Sequence, residues 1–250
     1  MAAREIPAPL KNTNFKKMQN FVFDLYGTLV DIRTDEHSRK FKEKYSKYIS
    51  EQFGADGTFF ENFFATLSAY KDFEEPDIVR VLQSAVTQSG GSITQSGAKV
   101  AALRFRKLST HRLKLYPGVK ALLKTLKKRG AKLYLLSNAQ AVFTLYELKK
   151  LKLYGYFDGI ELSSDFGKKK PSPDFFKHIV NKYSLNPAQT VYTGNDIACD
   201  IIPSKEEGMY AVYIKSAISP AGDELIKANS IADFATDSGF LAVAKHLIDI

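Results

Sequence analysis

From residue 120 onward, short apolar runs and amphipathic runs take turns, and this alternation constrains the fold more than any other feature of the chain. Residues 120–129 are amphipathic at helical spacing and close on Gly130, at the C′ position that glycine favours. Residues 132–136 read as a strand finishing at Ser137-Asn138, 142–153 as a helix, 157–162 as a short strand and 163–170 as a loop. Residues 173–183 are helical, and 190–193 form a strand ending at Gly194-Asn195-Asp196. A helix over 200–207 closes on Gly208; a strand over 210–214 and a helix over 240–247 complete the chain. Strand followed by helix, repeated, predicts an α/β fold with a parallel sheet wound with helices.

Upstream lies Asn20-Phe-Val-Phe-Asp24-Leu-Tyr26-Gly27-Thr28-Leu-Val-Asp31, a β-branched and aromatic run that stops on a carboxylate. Gly27 lets the backbone turn sharply and approach a bound group closely. Before it, residues 1–19 mix Pro7, Pro9 and several lysines without an apolar stretch, so they read as a loose arm and not as a secretory signal. Beyond it, residues 34–114 read as helices. Phe41, Tyr45, Tyr48 and Ile49 recur at helical spacing, and Phe59, Phe60, Phe63, Phe64 and Leu67 form a second apolar face. A third helix starts at Glu75-Pro76-Asp77, and Gly90-Gly91 breaks it. A fourth covers about 95–113. Four successive helices with no intervening strand do not fit an alternating wind, so residues 33–114 are expected to be a helical insertion in a core made of 20–32 and 115–250.

Composition narrows the function classes. The formal net charge of +9 would draw anionic substrates, but most lysines fall at helical spacing, and no nucleic-acid motif accompanies them. A specific nucleic-acid partner is therefore not expected. Cys199 is the single cysteine, which excludes an intrachain disulfide and points to a reducing cytoplasm. No apolar run is long enough to span a bilayer, so no membrane role is expected.

In a parallel sheet every strand delivers its last residue to one edge, where ligands bind. Here that edge would collect Asp24, Ser137 with Asn138, Lys170, and Asp196 with Asp200. Each has a plain structural role alone. Ser137 and Asn138 could cap a helix, Lys170 belongs to a solvated lysine run, and Asp196 and Asp200 could complement a helix dipole. A carboxylate, a hydroxyl, an ammonium and a carboxylate pair meeting at one edge are harder to explain that way.

The same residues resemble the haloacid dehalogenase superfamily over nearly the whole chain after residue 20. Phe23-Asp24-Leu-Tyr-Gly27-Thr28-Leu29 resembles its first motif and Leu136-Ser137-Asn138 its second. Lys170-Pro171-Ser-Pro173-Asp174 resembles its lysine motif, and Gly194-Asn195-Asp196 through Asp200, with Gly208-Met209, its fourth. Tyr116-Pro117-Gly118 matches the usual return from a helical cap. The resemblance implies a Rossmann-like core, a mobile helical cap and hydrolysis through an aspartate nucleophile, Asp24. It implies that Ser137 and Lys170 serve the reacting anion, with Thr28 and Asn138 also binding substrate and Asn195 and Asp200 in support. Mg²⁺ would be held by Asp24, the Tyr26 carbonyl and Asp196. Independently, Asp24 and Asp196 brought close together would repel unless a cation sat between them.

Tyr26 departs from the pattern. Family phosphatases mostly carry an aspartate there to protonate the leaving group, work for which a phenol is poorly matched. Tyr26 resembles the 2-haloacid dehalogenases instead, yet the acid at 196 resembles metal-dependent members, and the tryptophan-containing cap segment of the dehalogenases is missing from a chain without tryptophan. The resemblance thus implies a Mg²⁺-dependent phosphatase of a small anionic metabolite, with carbon-halogen hydrolysis or non-catalytic anion binding as alternatives. His37, His111, His178 and His246 are scattered without metal-ligand spacing, and Arg33, Arg104 and Arg106 remain unassigned. Cys199, beside Asp200, reads as a small packed residue.

Overall fold

The computed structural model describes residues 6–10 and 17–248. Of the expected N-terminal arm, residues 1–5 and 11–16 lie outside the described residues, while the Leu10 amide and the Ala8 carbonyl dock at Asp233 and Lys205. The core is a six-stranded sheet in the order β5-β4-β1-β6-β7-β8, parallel throughout. Its strands are β1 (Asn20–Phe23), β4 (Lys132–Ser137), β5 (Gly159–Leu162), β6 (Thr190–Gly194), β7 (Tyr210–Ile214) and β8 (Phe234–Thr236).

Both faces of the sheet are covered, which is why its strands read as continuous apolar runs. Side chains alternate along β1. Phe21 and Phe23 face a core built with α5 (Val119–Lys128) and α11 (Phe240–Ile248), whereas Val22 faces Phe175, Phe176 and Ile179 of α8 (Pro173–Lys182). Strand β1 lies between β4 and β6, so the chain winds outward to one side through β4 and β5, then to the other through β6 and β7. That reversal opens a crevice at the carboxyl ends of β1, β4 and β6.

Between β1 and β4 the chain builds α1 (Arg39–Phe53), α2 (Phe59–Ser68), α3 (Ile78–Gln88) and α4 (Gln95–Ser109) around a separate aromatic core. Ala98, Ala101 and Ala102 let α4 approach Tyr45, whose hydroxyl donates to the Ala101 carbonyl at 2.9 Å. Pro76 precedes the third helix, which Asp77 caps by accepting from the Val79 amide at 2.9 Å.

The stretch read as wholly helical is bounded by strands. β2 (Val30–Thr34) and β3 (Thr110–Leu115) pair as an antiparallel ribbon at the root of the helical layer, so the fourth helix ends at Ser109 and not at Leu113. The Arg106 carbonyl accepts from the Thr110 amide and also, at 2.6 Å, from the Thr110 hydroxyl, which closes the last turn of the helix where the strand begins. The stretch read as a loop opens with a one-turn helix, α7 (Ser163–Phe166), α9 (Ile202–Glu206) follows β6, and the tail holds two elements that its weak pattern concealed, α10 (Leu225–Ile231) and the edge strand β8. Among the described residues no helix is long and apolar enough to cross a membrane.

Candidate active site

Asp24 leaves β1 with its amide still in the ladder, donating to the Thr193 carbonyl at 2.9 Å. The chain then turns on Gly27, at φ +84°, where a Cβ would stand 2.5 Å from the Asn195 amide nitrogen. Only glycine tolerates both that conformation and that approach.

The Asp24 carboxylate is held on both oxygens. Oδ1 accepts from Ser137 Oγ at 3.0 Å and from Lys170 Nζ at 2.9 Å, and Oδ2 accepts from Thr28 Oγ1 at 3.2 Å. Thr28 is fully buried, and its hydroxyl lies between Asp24 Oδ2 and, at 3.3 Å, Asn195 Oδ1. Asn138 is committed to the lysine loop: its amide donates to the Lys170 carbonyl at 3.0 Å and its Oδ1 accepts from the Lys170 amide at 2.7 Å. The Lys170-Pro171 peptide that follows is cis.

Lys170 Nζ also donates to Asp200 Oδ1 at 2.6 Å and to the Leu136 carbonyl at 3.1 Å. Burial alone would lower the Lys170 ammonium, but the Asp200 and Asp24 carboxylates outweigh it and hold the group well above its ordinary value. The lysine is therefore a fixed positive charge. Asp200 Oδ2 accepts from the Asn195 and Asp196 amides, each at 3.1 Å, so this acid fixes the loop that carries Asp196.

Asp196 caps the helical turn that follows, its Oδ1 accepting from the Cys199 amide at 2.7 Å. That turn is π-helical over Ile197–Ile201, so the helix expected from residue 200 begins three residues earlier. Burial, then Asp196 and Asp200, pushes the Cys199 thiol up to about 12, which makes it inert at neutral pH. Asp24, Asp196, Ser137 and Lys170 line one cavity of about 170 Å³. Among the described residues no cluster of three or more His, Cys, Asp or Glu could hold a metal. Asp24 and Asp196 line the cavity with carboxylates, hard oxygens of the kind that suit Mg²⁺ with water completing its shell, while Asp200 is taken up by Lys170, Tyr192 and two backbone amides.

Tyr26 turns its hydroxyl to α6 (Ala141–Lys150), donating to Glu147 Oε2 at 2.5 Å with Thr144 Oγ1 3.1 Å away. Burial, then Glu147, drives the phenol far above its ordinary value. Its side chain is therefore neither acid nor base at neutral pH. Glu147 in turn accepts from Arg106 of α4 at 2.7 and 3.3 Å, tying the helical layer to the core. Sequence reasoning left Arg106 unassigned and missed Glu147, because a pair 41 residues apart has no local signature. It also missed Tyr192, whose buried hydroxyl donates to Asp200 at 2.9 Å. A tyrosine inside a fully buried strand was the available signal, since its hydroxyl must find a partner.

Comparison with known proteins places this geometry among relatives. The model of the haloacid dehalogenase-like hydrolases matches residues 18–208. The chain is 34% identical over 124 residues to the glyceraldehyde 3-phosphate phosphatase of Methanocaldococcus jannaschii, a match spanning half of each chain. It is 24% identical over 190 residues to that of Methanothermobacter thermautotrophicus, spanning 76% of each. Among solved structures, the 2-haloacid dehalogenase of Pseudomonas syringae pv. Tomato DC3000 matches with a TM-score of 0.62 at 19% identity, covering 92% of this chain and 98% of that one. At that identity the likeness concerns the fold.

Proposed function

Since the chain belongs to the haloacid dehalogenase-like hydrolases, we propose that it is a phosphatase acting on small phosphate monoesters, with Asp24 as nucleophile and Mg²⁺ as cofactor. The observation that carries this reading is the Asp24 carboxylate, gripped by Ser137, Lys170 and Thr28 and sharing one cavity with Asp196. The names of the two glyceraldehyde 3-phosphate phosphatases support it.

Asp24 attacks phosphorus, the bond to the alcohol oxygen breaks, and the phosphoryl group is left on the carboxylate as an acyl phosphate. Water then attacks that phosphorus, releasing inorganic phosphate and freeing Asp24. Ser137 Oγ, 3.0 Å from Asp24 Oδ1, would turn its one proton from that carboxylate to a phosphoryl oxygen, and Lys170 offsets the charge gathered around Asp24. Asp24, the Tyr26 carbonyl and Asp196 would hold Mg²⁺, whose charge would offset that of the transferring group. Tyr26 cannot protonate the leaving oxygen, whose proton must come from solvent, so turnover should favour leaving groups of low basicity. The tie from Tyr26 to Glu147 also gives that residue a structural reason, which removes the main support for carbon-halogen hydrolysis.

The test is hydrolysis of p-nitrophenyl phosphate. Turnover should require Mg²⁺, stop with chelator and vanish in Asp24→Asn. Chelator-insensitive halide release from a 2-haloacid, or tight anion binding with no turnover of any phosphate, would overturn the proposal.

A further inference from the structure

Every residue lining the Asp24 cavity comes from the core, and the helical layer supplies none of them. One of them, Ile218, is 44% exposed, so the cavity meets solvent on that side. What the layer touches instead is the loop that carries Lys170.

Residues 73–75, which lead into α3, run antiparallel to residues 167–169. The Glu75 amide donates to the Gly167 carbonyl at 3.0 Å and the Lys169 amide to the Phe73 carbonyl at 2.8 Å, with Glu74 opposite Lys168. Phe73, Glu74, Gly167 and Lys168 are all exposed, and two backbone bonds open to water make a marginal pairing by themselves. Gln140 reinforces it. Its Oε1 accepts from the Ile78 amide at 2.8 Å, and its Nε2 donates to the Pro76 carbonyl at 2.8 Å and to Glu75 Oε1 at 2.7 Å. Gln140 stands at the N-cap of α6, yet its side chain makes no bond to that helix and is spent wholly on the helical layer. Two residues before it, Asn138 clamps the Lys170 backbone. One short core segment thus grips the lysine loop and the strand that pairs with it.

We infer that Gln140 is a positioning residue for Lys170, and that the helical layer works closed, as a fixed brace on the lysine loop and not as a lid that swings away at each turnover. Gln140 holds residues 75–78, the backbone pairing passes that restraint to residues 167–169, and Lys170 stays where its ammonium meets Asp24 Oδ1 at 2.9 Å. The inference rests on the phosphatase reading for its turnover assay alone.

Glu74 and Lys168 form a non-hydrogen-bonded antiparallel pair, a geometry with Cα atoms about 4.5 Å apart and within reach of a disulfide. Glu74→Cys/Lys168→Cys therefore staples the layer to the loop when oxidised and frees it in dithiothreitol. The Cys199 thiol, pushed up to about 12, stays out of the exchange. Oxidised, the double variant should hydrolyse p-nitrophenyl phosphate with Mg²⁺ as fast as its reduced form. In Gln140→Met, the amides of residues 167–170 should exchange with deuterium on the order of tenfold faster, those of β1 and β4 should not change, and kcat should fall on the order of tenfold. Closing the staple in Gln140→Met/Glu74→Cys/Lys168→Cys should restore both the protection and the rate. Loss of turnover when the double variant is oxidised, thiols that fail to join, a Gln140→Met protein with unchanged exchange or unchanged kcat, exchange that rises equally in β1 and β4, or a stapled triple variant that does not recover would each overturn the inference. Wild type without turnover sinks the phosphatase reading, and the exchange measurements then decide the brace by themselves.

Discussion

The Arg106–Glu147 pair should behave as a buried ion pair and not as surface decoration. The side chains are 17% and 5% exposed, and two hydrogen bonds at 2.7 and 3.3 Å join them across the boundary between the helical layer and the core. Arg106→Met leaves a buried carboxylate whose remaining partner is the Tyr26 hydroxyl. Stranding a buried charge costs about 3–5 kcal/mol, whereas replacing both partners with apolar groups is often near neutral. Arg106→Met should therefore destabilise by about 3–5 kcal/mol and Arg106→Met/Glu147→Met by much less, for a coupling energy of about 2 kcal/mol or more. Tyr26 keeps Thr144 as a partner in the double variant, so no new buried hydroxyl is orphaned. The chain has 13 tyrosines and no tryptophan, so urea unfolding at pH 7 is best followed by circular dichroism and tyrosine emission. Comparison of free energies requires the same slope with urea in every variant. A single-variant cost under about 1 kcal/mol, as for an exposed pair, or a double variant that costs the sum of the singles, would refute the reasoning.

Three further outcomes follow from neighbouring geometry. Tyr26→Asp removes the bond to Glu147 and installs a titratable acid near the leaving group, so hydrolysis of basic alkyl phosphates should rise while stability drops by about 1–3 kcal/mol; steady-state rates paired with urea unfolding read both. Gly194→Ala drives a Cβ into the Asp200 carboxylate, and a cost of about 1–3 kcal/mol with loss of turnover is expected; a fully active, equally stable variant would contradict the packing. Burial alone would raise Glu161, but bonds from Lys182, Tyr183 and His178, at 2.6 to 2.7 Å, hold it below its ordinary 4.5. Its contribution is present above pH 4.5 and lost as pH falls through the lower folded value, so in Glu161→Gln the acid decline in melting temperature should be shallower.

What could be read from the sequence was whatever periodicity and strand ends encode. Phe21, Val22 and Phe23 announce a buried strand, and parallel strands deliver their ends together, so one cavity lined by Asp24, Ser137, Lys170 and Asp196 follows from topology without any side-chain geometry. Direction within the site was not readable. Thr28 and Asn138 are themselves motif residues, yet one hydroxyl bonds the Asp24 carboxylate and one amide clamps the lysine loop, because short polar side chains bond whichever backbone or carboxylate lies nearest. The β2–β3 ribbon escaped for another reason. Thr110-His-Arg-Leu-Lys-Leu115 follows α4 with no glycine or proline between them, so nothing local marks the change of period.

The charge content of the Asp24 cavity carries a last consequence. Asp24, Asp196 and Asp200 line it with Lys170, so three formally negative side chains face one positive one. Lys170 is shared between Asp24 and Asp200 and has no hydrogen bond to Asp196. A phosphate dianion entering such a cavity meets an excess of negative charge, and in a partly dehydrated site each like-charge contact is worth kcal/mol. The proposed Mg²⁺ would remove that excess, which makes metal binding a precondition for anion binding and not merely an aid to the chemical step. Inorganic phosphate titrated calorimetrically into Asp24→Asn removes one carboxylate and should restore part of the metal-free affinity, whereas wild type should bind phosphate at least about tenfold more weakly when chelated than with Mg²⁺. Equal phosphate affinity in chelated and Mg²⁺-loaded wild type would mean that Lys170 and the Ser137 hydroxyl suffice to hold the anion, and the electrostatic case for the cation would fail.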